Sequence, residues 1–153
     1  MNRRVFIAAA VAIFASGCNF HTTLPEADDA LNQEAHSVYL DLIEARDDQL
    51  VARMSSENDL AAVRAQLPML RDLVSHDFAP EPQVASYQNT RSTQGEFYVI
   101  NQDYNYSDRV VHANTTFKRE GDEWNVLGFN LNVNIRPVPP NENGEIEVVS
   151  GET

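Results

Sequence analysis

The side chains suited to metal or acid–base chemistry are scattered along the chain. The four histidines, His21, His36, His76 and His112, lie far apart, and none has the i, i+4 partner that a helical zinc site needs. We therefore expect each of them to be a surface histidine or one held by a single hydrogen bond. The sequence predicts neither a metal site nor a bound cofactor.

Carboxylates occur as two adjacent pairs, Asp28-Asp29 and Asp47-Asp48. Because neighbouring residues of a helix point in different directions, neither pair is suited to joint acid–base work. The chain contains neither a glycine-rich phosphate loop nor a Gly-x-Ser-x-Gly nucleophile motif. The sequence therefore predicts no catalytic residue, and a protein that is not an enzyme.

Uncharged polar side chains are concentrated in the second half of the chain. They are Asn101, Asn105, Asn114, Asn125, Asn130, Asn132 and Asn134, together with Thr115 and Thr116. Solvation of an exposed sheet face is one interpretation of this pattern. The other is a surface for a polar partner, either a protein or a cell-wall glycan.

Helical periodicity dominates the first half. Apolar residues recur at steps of three and four over 30–54, which predicts one long helix. A second periodic segment contains Pro68, and an interior proline removes a helix hydrogen bond. We therefore expect two short helices, over 58–66 and 68–75, with Pro68 at the start of the second.

From Val84 the hydrophobic period changes to two. Turn-forming residues separate four stretches, which predict strands over 84–91, 96–106, 109–119 and 123–135. The last strand is predicted to place Leu127, Phe129, Leu131, Val133 and Ile135 on its apolar face, and Val126, Asn130, Asn132 and Asn134 on the other. Helices followed by strands predict an α+β fold, in which helices cover one face of an antiparallel sheet.

The N-terminus is typical of a targeting segment. Arg3 and Arg4 precede an apolar run over 5–15, which is too short to span the ~30 Å hydrocarbon core of a membrane as a helix. Small residues follow this run and lead directly to Cys18, the only cysteine of the chain. A single cysteine excludes an intrachain disulfide.

The stretch Ala15-Ser16-Gly17-Cys18 resembles the lipobox of bacterial lipoproteins. The resemblance implies that the Cys18 thiol receives a diacylglyceryl group, that the signal is cut before it, and that the new amino group is acylated. Several acyl chains make membrane attachment effectively permanent. Asn19, where an Asp would favour retention in the inner membrane, implies the outer membrane in a Gram-negative host.

Length and charge limit the remaining possibilities. The 153 residues allow one domain, and 11 basic against 23 acidic residues give a net charge of −12, which argues against nucleic acid as a partner. We expect four parts: a signal peptide over 1–17, a lipidated linker over 18–30, an α+β domain over 31–135 and a mobile acidic tail over 136–153.

This order of elements resembles the NTF2-like and cystatin-like superfamily. The segment 117–129, in which Trp124 follows an acidic turn around Gly121, carries the likeness. The resemblance implies N-terminal helices packed on a curved four-stranded antiparallel sheet with a concave pocket, and it implies no particular reaction.

Enzymes of this superfamily use Asp, Tyr or His side chains that line the pocket. The corresponding candidates are Tyr39, Tyr87, Tyr98, Tyr104, Tyr106, His36 and His112. Asp103 is the only acid next to a tyrosine in a predicted strand, so no isomerase-like set of base and oxyanion donors can be placed. The competing interpretation is that these tyrosines are core and sheet residues.

We therefore expect a membrane-anchored periplasmic lipoprotein that acts as a non-catalytic binding or assembly module. Its expected partners are the membrane, through the lipid on Cys18, and an envelope protein or cell-wall component. The alternatives are a small-molecule-binding or isomerase/lyase-type pocket protein and an envelope accessory without a ligand. A cavity of ~300 Å³ or more that reaches inward between helix and sheet, and is lined by His36 or His112 together with Tyr and Asp, would overturn the binding-module interpretation.

Overall fold

A computed structural model describes residues 27–137. Within this range three helices, α1 (Asp29–Ile43), α2 (Asp47–Ala52) and α3 (Leu60–Val74), precede all the strands. The predicted signal peptide over 1–17, the cysteine at 18 and residues 138–153 of the predicted tail lie outside the described residues.

The strands form one antiparallel sheet in the order β1-β2-β3-β4. They are β1 (Gln83–Ser92), β2 (Gly95–Asn105), β3 (Arg109–Glu120) and β4 (Glu123–Ile135). Gly95 and Gly121 have positive φ angles of 131° and 66° at the tight turns, a conformation that glycine adopts at little cost. The α+β class and the four strands are confirmed.

The predicted single helix over 30–54 is wrong, because the chain turns a corner between α1 and α2. Ala45 has a φ of 56°, which is outside the helical region. The buried Asp41 carboxylate accepts hydrogen bonds from Arg46 Nε at 2.7 Å and from Arg53 Nε at 2.8 Å. These bonds hold the corner, and α2 then brings Leu50 and Val51 into the core.

The predicted division at Pro68 is also wrong, since α3 runs unbroken through it. Pro68 and Arg64, whose carbonyl loses its helical partner, are both exposed, so water can satisfy that carbonyl. Buried Leu67 and Val74 hold the helix against the core on either side. Packing therefore outweighs the local cost of the proline.

The helices cover one face of the sheet. In β2 the buried positions alternate regularly, and they are Tyr98, Ile100, Gln102 and Tyr104. They face the buried residues of α1, among them Ala35, Val38 and Tyr39. The core thus lies between the buried faces of the three helices and the inner face of β2, β3 and β4.

The predicted register of β4 is wrong at its beginning. Phe117 pairs with Val126 and Thr116 with Gly128, so Leu127 is the extra residue of a β-bulge. Val126, predicted on the polar face, is buried, whereas Ile135 is 75% exposed. Phe129 is only partly buried, so Phe129→Ala would remove less buried apolar area than the same change at a fully buried position.

Candidate functional site

A cleft of about 330 Å³ lies where the first turns of α1 approach the chain that enters β1. Its walls are formed by Asp29, Asn32, Gln33, His36, Glu81, Pro82, Val84 and Gln102. Gln102 is buried at the floor, while Asp29, Gln33 and Glu81 are exposed at the rim. The volume is within the range of ~300–1,000 Å³ typical of small-molecule sites.

A chain of hydrogen bonds fixes the tautomer of His36. Gln102 Nε2 donates to the carbonyl of Asn32 at 2.9 Å, which turns Gln102 Oε1 toward Tyr104. The Tyr104 hydroxyl donates to that oxygen at 3.1 Å. The only proton of the Tyr104 hydroxyl is therefore used. At 3.2 Å from His36 Nδ1, this hydroxyl can only accept a hydrogen bond from that nitrogen.

Neutral His36 consequently carries its proton on Nδ1 and a free lone pair on Nε2. Within residues 27–137 nothing donates a hydrogen bond to this nitrogen. Burial lowers the pKa of His36 below its usual value of 6.5, and the opposing effect of the Glu81 charge is smaller. His36 is therefore neutral at pH 7, and its Nε2 is a hydrogen-bond acceptor beside the cleft.

Three tyrosines, Tyr39, Tyr104 and Tyr106, form a buried cluster behind this cleft. The rings of Tyr39 and Tyr104 stack at 3.7 Å. The hydroxyl of Tyr106 donates to the carbonyl of Phe78 at 2.8 Å, so Tyr39 is the donor in the 2.8 Å bond between the hydroxyls of Tyr39 and Tyr106. Burial raises the pKa of Tyr39, Tyr104 and Tyr106. All three are neutral, and their protons are used inside the core.

The other two predicted tyrosines support the same end of α1. Tyr98 donates to the side-chain oxygen of Asn32 at 3.0 Å and accepts from the backbone nitrogen of Asp28 at 3.2 Å. Tyr87, on β1, stacks against Tyr98 at 6.2 Å. These contacts position the first turn of α1 above β2 and so form one wall of the cleft.

His112 and Asp103 meet on the outer face of the sheet, away from the cleft. His112 Nδ1 lies 2.7 Å from Asp103 Oδ1, and Asn134 Nδ2 lies 2.9 Å from His112 Nε2. In the sequence these two residues are separate candidates. Their pairing follows from the hairpin at Ser107-Asp108, because residues 103 and 112 are directly opposite in its register.

The outer face also carries a ladder of amide side chains. Asn101 Nδ2 donates to Ser86 Oγ at 2.8 Å, and Asn114 Nδ2 donates to Asn101 Oδ1 at 2.8 Å. Asn130 is opposite Asn114 and Asn132 is opposite His112, so the amides continue onto β4. No described helix covers this face, because the three helices pack on the other one.

Comparison of the whole chain with protein-family profiles and with curated proteins finds no match to either. No helix of residues 27–137 is both long and apolar enough to cross a membrane. In the same range no group of three or more His, Cys, Asp or Glu residues is arranged to hold a metal ion.

Two of the remaining predicted residues, His76 and Thr115, pack within the fold and line neither the cleft nor the outer face. His76 stacks on Tyr106 at 4.3 Å and bonds Asp108 through Nε2 at 2.9 Å. Thr115, predicted on the polar face, is buried on the core side. His21 and Cys18 lie outside the described residues. Gln102 could not be predicted as a site residue from the sequence, because its role depends on the packing of α1 against β2.

Proposed function

We propose that this protein is a membrane-anchored periplasmic lipoprotein, held by Cys18 in the outer membrane, whose α+β domain is a non-catalytic binding module. Support for the anchor comes from the sequence: charged residues, an apolar run and the lipobox-like Ala15-Ser16-Gly17-Cys18 follow in order. A net charge of −12 gives no electrostatic hold on anionic lipid, so a covalent anchor would supply the attachment.

The open face of the sheet carries the binding part of this proposal. Its inner face is filled by helices, whereas its outer face presents the ordered amides of Asn101 and Asn114 and the exposed amides of Asn130 and Asn132. Each amide offers two donors and an acceptor. Such groups match the hydroxyl and acetamido groups of a cell-wall glycan.

A glycan fits this face better than a protein partner does. The centres of protein–protein interfaces are enriched in aromatic and apolar side chains. Here the pairs of the two central strands include Asn101 with Asn114 and Asp103 with His112, and the polar side chains continue onto the edge strand with Asn130 and Asn132. The partner we favour is therefore cell-wall glycan, and an envelope protein is the competing outcome.

We also assign the fold to the NTF2-like or cystatin-like type as part of this proposal. Its support is the helix-first order, the antiparallel β1-β2-β3-β4 meander and the cleft between α1 and the sheet. A β-bulge bends the strand that contains it, so the bulge at Leu127 also supports a curved sheet.

The anchor is tested by substituting the cysteine. Cys18→Ser should abolish labelling of the protein by a fatty-acid probe and leave an uncleaved or soluble form. Ser16→Thr, which keeps the cysteine, serves as the control. Labelling that is unchanged in Cys18→Ser would overturn the lipoprotein assignment.

The glycan partner is tested by sedimentation with purified cell-wall sacculi. Asn130→Ala combined with Asn132→Ala should weaken binding by about tenfold, which corresponds to ~1.4 kcal/mol. Gln49→Ala, which removes an exposed amide from α2 on the helical side, is the matched control. Failure of the parent chain to co-sediment, or equal loss in both variants, would contradict the proposal.

The cleft beside His36 is the observation that favours the alternative, a small-molecule-binding pocket protein. It combines a volume of about 330 Å³ with a histidine and the acid Asp29. No tyrosine lines it, and Tyr104 contacts it only through His36. The arrangement supports ligand binding better than isomerase chemistry, because the tyrosine hydroxyl protons are committed within the core.

A further inference from the structure

The cleft between α1 and the start of β1 has an unbalanced charge. Asp29 and Glu81 contribute two carboxylates at its rim, and no lysine or arginine lines it. Elsewhere in residues 27–137 many carboxylates are paired: Asp41 with two arginines, Asp47 with Arg71 and Glu96 with Arg91. Asp29 and Glu81 have no such ion pair in that range.

His36 adds a neutral acceptor to these two carboxylates. Its Nδ1 proton is used by Tyr104, so Nε2 can only accept a hydrogen bond while the ring is neutral. The occupant suited to this site must therefore donate protons, and positive charge would offset the two carboxylates. A protonated amine does both, with three donors on one atom.

The lining also indicates what the amine is attached to. Pro82 and Val84 form an apolar wall, and Val84 is 44% exposed although it lies beside the cleft. A volume of about 330 Å³ accommodates several heavy atoms besides the ammonium group. A bare metal ion is a poorer fit, since no three His, Cys, Asp or Glu side chains of residues 27–137 are grouped to ligate one.

We propose that this cleft binds a small protonated aliphatic amine, whose ammonium group donates to His36 Nε2 and is attracted by the rim charges of Asp29 and Glu81, while its carbon chain lies against Pro82 and Val84. The proposal deepens the pocket-protein alternative. It rests neither on the lipid at Cys18 nor on glycan binding to the outer face.

The test compares three probes of matched size: n-butylammonium, 1-butanol and butyrate. The full-length chain is titrated at neutral pH and constant ionic strength, and the ring signals of His36 are followed by NMR. Saturable movement of the His36 signals is expected with butylammonium alone. Equal effects of butanol or butyrate would overturn the assignment of the ligand as a cation, and so would the absence of a saturable shift.

Variants separate a specific site from the general negative charge of the protein. Glu81→Gln should weaken butylammonium binding by up to about fivefold, the effect of one partly exposed charge pair. His36→Asn keeps an N–H near the Nδ1 position but lacks Nε2, and a loss of about tenfold is expected, here followed by calorimetry. Glu123→Gln, at the distant β3–β4 turn, makes the same charge change as Glu81→Gln and should have less than a twofold effect.

Equal weakening by Glu81→Gln and Glu123→Gln would mean that only the overall field of the protein attracts the probe, which would contradict a built site. Binding that is unchanged in both Glu81→Gln and His36→Asn would also contradict it. A thermal melt of each variant shows whether it is folded. Because Cys18 and the outer-face asparagines are unchanged, failure here leaves the anchored binding module untouched.

Discussion

Asp41 shows how a single buried charge determines the path of the chain. Its side chain is 1% exposed, and it accepts hydrogen bonds from Arg46 and Arg53, which lie at the two ends of α2. A buried carboxylate is stable only when it is paired and hydrogen-bonded. The three residues therefore hold the corner between α1 and α2 as one unit.

Asp41→Asn should destabilise the protein by about 2 kcal/mol, because it weakens the two charge-assisted hydrogen bonds that Arg46 and Arg53 donate to this buried side chain. Urea unfolding followed by the fluorescence of Trp124, the only tryptophan, measures this change. Glu44→Gln is the control, since Glu44 bonds the same Arg46 from an exposed position and should contribute under about 1 kcal/mol. Equal effects of the two substitutions would refute the role assigned to burial.

Asp108 gives a pH-dependent contribution with a defined sign. Hydrogen bonds from Arg109 and His76 lower the pKa of Asp108 from 3.8 to about 2. The folded state therefore favours the carboxylate, and the resulting stability is present above pH 3.8 and is lost as the pH falls toward 2. Because the side chain is 38% exposed, screening limits the contribution to under about 1 kcal/mol.

Asp108→Asn should accordingly lower the stability at pH 6, and the difference from the parent chain should shrink between pH 4 and pH 2. Denaturant unfolding at a series of pH values checks this. A difference that stays constant down to pH 2 would show that the substitution acts through packing and not through charge.

At the residue scale, the sequence identifies the side chains that could take part in chemistry. Most of the partners of these side chains are brought close only by the fold. His112 and Asp103 could have been paired, because they are opposite each other in a short hairpin. His36 and Tyr104 are 68 positions apart and meet through the packing of α1 on β2. Local patterns carry no information about such a contact.

Among the elements, the strands were predictable and the helix breaks were not. Short turns at Gly95 and Gly121 confine each strand to a narrow range. Ile43 and Leu50 are seven positions apart, about two helical turns, so Leu50 stays in phase with the apolar face of α1 although the residues between them are mostly polar. Periodicity alone therefore could not locate the break at Ala45.

Ala45→Gly should stabilise the protein by up to about 1 kcal/mol, because Ala45 has a φ of 56° and an L residue with a side chain is disfavoured there. Ala65→Gly, at an exposed position inside α3, is the matched control and should destabilise by about 1 kcal/mol. Thermal or urea unfolding of both variants gives the comparison. If both substitutions destabilised the protein, the left-handed corner would be in doubt.

For the whole molecule, the asymmetry of the sheet is the main functional feature. One face is closed by helices and the buried tyrosine cluster, and the other presents the amide ladder to solvent. The cleft beside His36 lies at the edge between them, so the two candidate sites use different surfaces. A sequence pattern could predict a polar face, but the depth of the cleft depends on how α1 sits against the sheet.

The most direct test of the binding-module proposal is to map a glycan onto this molecule. Side-chain amide signals of the full-length chain are recorded by ¹H–¹⁵N NMR during titration with a soluble cell-wall tetrasaccharide of N-acetylated amino sugars. We predict saturable shifts at Asn114, Asn130 and Asn132 on the outer face, with the amide of Gln49 on α2 unchanged. Shifts confined to Asn32 and Gln33 in the cleft, or no saturable shift anywhere, would contradict the proposal.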